Sequence, residues 1–173
     1  FSKQIDKIGL GITSQSSEIC PADKKLYSIR DLTGTIPALP LICSSIMSKK
    51  IAEGLDGLVI DIKVGNGAFM KNFQQAKNLG IELKKIGDSF QINVDVTYSN
   101  MSQPLGNYAG LKCEIIEAVN CLKGDGPDDV IQLVLDLCAD VLIQNGTSKN
   151  KPEAKALLLN SIKNGKALEK FEE

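Results

Sequence analysis

Ser45 and Lys49 stand four residues apart in LPLICSSIMSKKIAEG, residues 39 to 54. On a helix advancing about 100 degrees per residue, that spacing puts both on one side. Leu41 and Ala52 then lie near the serine, and Ile42 and Ile46 near the lysine. The result is a polar notch in an apolar surface, where an unpaired lysine is costly to bury. In the plainer reading, Ser45 bonds back to a carbonyl and Lys49 runs its stem past the apolar neighbours to water. Such pairs are common on helices, and spacing alone favours it. The sharper reading adds Arg30, read as lying in the loop ahead of the helix. Two cations and a hydroxyl can bracket a flat heterocycle, the cations donating to its carbonyl oxygens and the serine pairing with a ring nitrogen. The same cations would stabilise negative charge growing on such a ring as it leaves a bonded partner.

Two further places carry polar groups in suggestive positions. Asp61 and Lys63 alternate in DGLVIDIKVG, residues 56 to 65, so on a strand they share one face near its carboxyl end. Open α/β sheets place ligands there, and an ion pair between alternate residues is the equal alternative. The glycines of KVGNGAF can let backbone amides approach an anion. The stretch nevertheless lacks the spacing of a phosphate loop or a dinucleotide fingerprint and reads as a turn.

Elements must hold these groups in place. Residues 1 to 8 suit a short helix, GLGIT (9 to 13) a strand, and SQSSEICPADKK a loop. Pro37, Pro40 and Gly54 bracket a helix over about 38 to 53. The alternation of Leu58, Ile60, Ile62 and Val64 predicts a central strand over 56 to 65; a helix over 71 to 87 and a strand over 92 to 98 follow. Strand, helix, strand is the unit of parallel sheets. Helices are expected over 109 to 122, after Pro127 with a stripe of Val130, Leu133, Val134, Leu137, Val141 and Leu142, and over about 152 to 164. A charged, frayed tail follows Gly165. The fold class is therefore α/β, a mainly parallel sheet flanked by helices, taken as one partial domain over residues 1–173.

Composition narrows the partners. The 173 residues carry 20 basic and 21 acidic side chains without long blocks of either sign, which argues against nucleic acid or an anionic membrane as partner. No apolar run reaches the length of a membrane span, so a soluble protein is expected. Five cysteines without C-x-x-C spacing suggest a reducing, cytoplasmic setting. The sequence has no histidine and opens on Phe1, so any histidine chemistry must come from elsewhere and a piece of a longer protein is expected.

PADKKLYSIRDLTGTIPALPLICSSIMSKKIAEGLDGLVIDIKVGNGAFMK, residues 21 to 71, closely resembles the central region of the α/β domain of pyrimidine nucleoside and thymidine phosphorylases, and the similarity resumes at MSQPLGN. The resemblance implies phosphate-dependent cleavage of a pyrimidine nucleoside (uridine, thymidine or deoxyuridine) to free base and a pentose 1-phosphate. It gives the base to Arg30, Ser45 and Lys49, with Arg30 and Lys49 as the catalytic pair and Tyr27 lining the pocket. It further implies potassium held by the carbonyls of Leu105 and Tyr108 and the carboxylate of Glu117, in PLGNYAGLKCEIIEA. Relatives usually carry a small residue where Tyr108 stands. No organic cofactor is implied; phosphate is the co-substrate, and the complete enzyme is expected to be a homodimer.

The family's phosphate-binding segment, N-terminal helical domain and C-terminal domain have no counterpart here. This chain alone is accordingly expected to supply only the base-side half of the site and to be inactive. Two other readings remain: a phosphoribosyltransferase-like relative, and a non-catalytic base-binding module.

Overall fold

The computed structural model describes residues 2–12 and 20–173. Its elements run α1 (Ser2–Ile8), α2 (Pro21–Thr33), α3 (Leu39–Ala52), β1 (Gly57–Val64), α4 (Phe73–Ser89), β2 (Asn93–Asn100), α5 (Leu111–Lys123), α6 (Asp128–Gln144), α7 (Lys151–Lys163) and α8 (Lys166–Glu172). Two compact units emerge, one within Ser14–Ser102 and the other combining Phe1–Thr13 with Gln103–Glu173.

In the first unit β1 and β2 pair in parallel, from Gly57 opposite Asn93 to Val64 opposite Asn100, with α4 as the crossover. The α/β class expected from strand, helix, strand is the class observed. Among the described residues the sheet has these two strands, so β1 is not flanked on both sides as a central strand would be.

Helix α4 starts where the Asn72 side chain accepts the Gln75 N–H at 3.0 Å, a local N-cap. It buries Ala76, Leu79, Leu83 and Gly87 at helical spacing. Gly87 is needed for close approach. A Cβ there would come within 2.3 Å of a Val94 methyl and 2.9 Å of the Ile92 carbonyl oxygen, so the helix rests on β2 only because hydrogen stands in that place. From α3, Cys43 and Met47 join Leu83, Ile62 and Val94 in one core. Fully burying side chains such as Met47 and Leu83 contributes about 1.5–3 kcal/mol each.

Helix α2 replaces the second half of the expected loop. Pro21 sits where a missing N–H costs nothing, and lysine, leucine and arginine are strong helix formers. The helix stops at Gly34, whose left-handed backbone (φ 66°) lets its N–H reach back to the last carbonyls. Residues 14–19 of that loop and Thr13 lie outside the described residues. Residues 9–12, expected in a strand, form none; the Gly9 N–H closes α1 onto the Ile5 carbonyl at 2.7 Å.

In the second unit α6 packs on α7 through Leu135, Ala139 and Ala154. The expected stripe was rotated: Val134 and Val141 are half exposed. The apolar side of α6 is wider than one contact, and α7 takes its edge beside Asp136 and Asp140. Ion pairs from Lys151 to Asp140 (2.9 Å) and Lys155 to Asp136 (2.7 Å) flank that contact. The tail expected to fray beyond Gly165 is α8. No helix among the described residues is long and apolar enough to cross a membrane.

Candidate functional site

Helices α2 and α3 pack together and carry all four residues proposed for the base. Arg30 is in the last turn of α2, not in a loop, and is only 5% exposed. Its Nη1 donates to the Leu41 carbonyl at 3.0 Å and its Nη2 to the Ile36 carbonyl, which ties the guanidinium to the start of α3. Tyr27 lies one turn earlier, its ring centre 5.2 Å from the guanidinium carbon, within cation–π range. The Arg30 Nε–H is buried with no partner. An orphaned buried donor costs about 1–3 kcal/mol.

One turn apart on α3, Lys49 Nζ donates to Ser45 Oγ at 3.0 Å and to Asp23 Oδ2 at 2.7 Å. Lys49 therefore does not run to water as the plainer reading had it. Asp23, at the start of α2, answers the burial problem of the notch. Burial pushes the Asp23 carboxyl upward, but hydrogen bonds from Lys49 and Ser45, with the charges of Lys49 and Arg30, outweigh it and hold it below the ordinary 3.8. Sequence reading missed this residue. A lone aspartate among lysines, 26 positions before its partner, gives no signal until α2 is laid against α3.

Two hollows meet at these side chains. One, of about 390 Å³, is lined by Arg30, Tyr27, Ser45, Ile42, Ile46 and Phe69, and by Asp61 and Lys63 of β1. The other, of about 540 Å³, is lined by Asp23 and Lys49 and shares Tyr27, Ile36 and Ser45 with the first. Both sizes suit a small ligand. Ser45 and Lys49 are in direct contact, whereas Arg30 faces the first hollow and Lys49 the second, with Ser45 between them. Phe69 was also missed; 70% exposed beside a hollow, it is an aromatic that contributes little to the core.

Asp61 and Lys63 pair at 2.6 Å. Ser99, opposite Lys63 in the strand register, donates to Asp61 at 2.6 Å and accepts from Lys63 at 2.9 Å. Of the two readings the ion pair is present, at the wall of the first hollow. In the following turn the Gly67 N–H bonds to the Met101 carbonyl at 2.8 Å and the Gly65 N–H to Met70 at 3.0 Å, so both amides serve the turn.

In the other unit, Glu117 is 7% exposed although it lies on a helix whose Leu111, Ile115 and Ile116 are exposed. Its carboxylate accepts the Asn107 N–H at 2.8 Å. A Cβ on Gly106 would fall 2.3 Å from Glu117 Oε2, so the turn closes on the carboxylate only with glycine there. Glu117 is thus not a solvated helix residue. Buried against the turn that contains Leu105 and Tyr108, it provides the hard oxygen that a monovalent cation prefers. Tyr108 is half exposed. No group of three or more acidic, histidine or cysteine side chains able to hold a metal occurs among the described residues.

Comparison with known proteins adds a family. Residues 1–168 match the model of the "Glycosyl transferase family, a/b domain". A pyrimidine-nucleoside phosphorylase of Staphylococcus epidermidis is 45% identical over 171 residues, covering 99% of this chain and 40% of the relative. Pyrimidine-nucleoside phosphorylases of Staphylococcus aureus strains USA300 and COL are 44% identical with the same coverage. The chain spans about two fifths of the length of these relatives.

Proposed function

This chain belongs to the glycosyl transferase family, a/b domain, and from that premise we propose that it carries the base-binding half of a pyrimidine-nucleoside phosphorylase site. The observation that supports this most is Arg30, a guanidinium side chain 5% exposed that borders a hollow. A guanidinium at the wall of a hollow is a strong donor to ligand oxygens. Lys49 has three N–H groups and uses two on Asp23 and Ser45, which leaves one for a second oxygen. A pyrimidine with two carbonyl oxygens flanking a ring N–H matches this set.

The proposed reaction takes uridine, thymidine or deoxyuridine and phosphate to free base and (deoxy)ribose 1-phosphate. As the glycosidic bond breaks, its electron pair goes to the base, whose carbonyl oxygens take up the negative charge. Donors already oriented towards those oxygens favour the charged state over the neutral nucleoside. Tyr27 stands beside the guanidinium, which its bonds to the Leu41 and Ile36 carbonyls hold in place. Phosphate is bound by parts of the complete protein beyond these residues, and the reading includes a cytoplasmic homodimer. Potassium would be held by Glu117 with the carbonyls of Leu105 and Tyr108; when bound it supplies positive charge against the buried carboxylate.

The test is phosphate-dependent release of thymine from thymidine and uracil from uridine by the complete protein. Release is expected, and replacing Lys49 with Met should lower kcat about 10²–10³-fold while the circular dichroism spectrum is kept. A folded variant of normal activity would remove Lys49 from the site. Base binding without turnover would favour a non-catalytic module instead.

A further inference from the structure

Asp61 and Lys63 have no part in holding the base, yet they line the same hollow as Arg30, Tyr27 and Ser45. Both belong to the last four residues of β1, and Ser99 is the next to last of β2. The three therefore stand at the carboxyl end of a parallel pair of strands, where such sheets receive ligands. An ion pair between alternate positions of one strand joins no two elements, and the backbone ladder already ties β1 to β2. By itself such a pair contributes little stability. Its hydrogen-bonding capacity is not used up. Lys63 Nζ has three N–H groups, of which at most two are engaged, by Asp61 Oδ2 at 2.6 Å and Ser99 Oγ at 2.9 Å. The Asp61 carboxylate has about four acceptor positions, of which Lys63 and the Ser99 hydroxyl, at 2.6 Å, fill two. A donor and acceptors are left side by side, with the lysine side chain 37% exposed and the aspartate 15%.

We propose that Asp61 and Lys63, steadied by Ser99, form a pentose subsite that takes the hydroxyls on C2′ and C3′ of the nucleoside sugar. The inference rests on the base-binding reading above and deepens it, because this pair and the base-side Arg30 and Ser45 share one hollow of about 390 Å³. A hydroxyl has one proton to give and lone pairs to receive with, so it fits a place where an acceptor and a donor stand together. Two hydroxyls on adjacent carbons use both at once, one donating to Asp61 and the other accepting from Lys63. A phosphate group fits less well, since the carboxylate offsets the charge of the ammonium and repels an anion.

The measurement is calorimetric titration of the complete protein with uracil, uridine and 2′,3′-dideoxyuridine, in buffer without phosphate so that nothing is cleaved. Uracil has no sugar and reports the base side alone. Asp61→Asn exchanges an acceptor oxygen for an NH₂ and removes the charge, and it should weaken uridine at least about tenfold. Lys63→Met should do the same. Uracil should stay within about threefold of the parent in both variants. Dideoxyuridine, which lacks both hydroxyls, should bind the parent at least about tenfold less tightly than uridine does. In either variant it should lose no more than about threefold further.

If the variants change uracil and uridine by the same factor, or change neither, the ion pair only supports the wall and the proposal fails. It fails also if dideoxyuridine loses as much as uridine in a variant, since the contact is then not with those hydroxyls. A parent that binds uridine and dideoxyuridine equally well overturns it without any variant. Should Asp61→Asn not fold, Lys63→Met, which keeps the bond from Ser99 to Asp61, decides the matter alone. A parent that binds neither uracil nor uridine overturns the base-binding reading itself, and the subsite with it.

Discussion

At the scale of single residues, the site is a set of charges kept out of water by one another. Lys49 lies among apolar neighbours because Asp23 reaches it from another helix, and the pair fixes a pH dependence with a definite sign. The Asp23 carboxyl is held below its ordinary 3.8 in the folded protein, so the folded state binds this proton more weakly than the unfolded chain. The stabilisation is complete above the unfolded value and is lost as pH falls through the lower folded one. Thermal melts should therefore show the parent losing stability below about pH 4. Asp23→Asn, less stable at neutral pH, should lose less over that interval, because its side chain takes up no proton. Equal acid sensitivity in both proteins would mean that other carboxylates carry the effect.

Elements set how closely those residues can be brought together. The βαβ unit holds α3 and α4 against one core, and its tightest contact is between α4 and β2 at Gly87. Gly87→Ala should destabilise by about 1–3 kcal/mol, because the methyl meets a Val94 methyl and a backbone carbonyl that cannot both move aside. Leu83→Ala, which empties a fully buried position, should cost about 2–5 kcal/mol. Urea unfolding followed by circular dichroism measures both. A Gly87→Ala variant as stable as the parent would show that α4 can slide on the sheet, and the wall that Leu79 and Leu83 contribute to the first hollow would then be adjustable.

On the scale of the whole molecule, each compact unit carries one polar feature of its own. The Ser14–Ser102 unit holds the residues proposed for the base; the unit containing Gln103–Glu173 holds the Glu117 carboxylate under its turn. If that carboxylate binds potassium, melting in potassium chloride should exceed melting in tetramethylammonium chloride at equal ionic strength. Glu117→Gln should abolish the difference. A stabilisation of about 1–3 kcal/mol corresponds to a cation roughly ten to a hundred times above its dissociation constant. No potassium effect in the parent would leave Glu117 as a cap on the Asn107 N–H alone.

Sequence alone determined the α/β class, the parallel pair of strands, the extents of α3, α4 and β1 to within two residues, and the grouping of Ser45 with Lys49. These depend on periodicity and on glycine and proline at boundaries, which are local properties of the chain. It could not place Arg30 on a helix, because the polar residues after Cys20 resemble a loop until α2 has something to pack on. Nor could it centre the buried face of α6 correctly, since the apolar side of that helix is broader than one contact and α7 takes the edge beside Asp136 and Asp140. Asp23 became a partner of Lys49, Phe69 a wall of a hollow and Glu117 a buried carboxylate only in three dimensions. Each of these depends on residues from separate elements meeting at distances of a few ångströms, and helical or strand spacing carries no record of which elements meet.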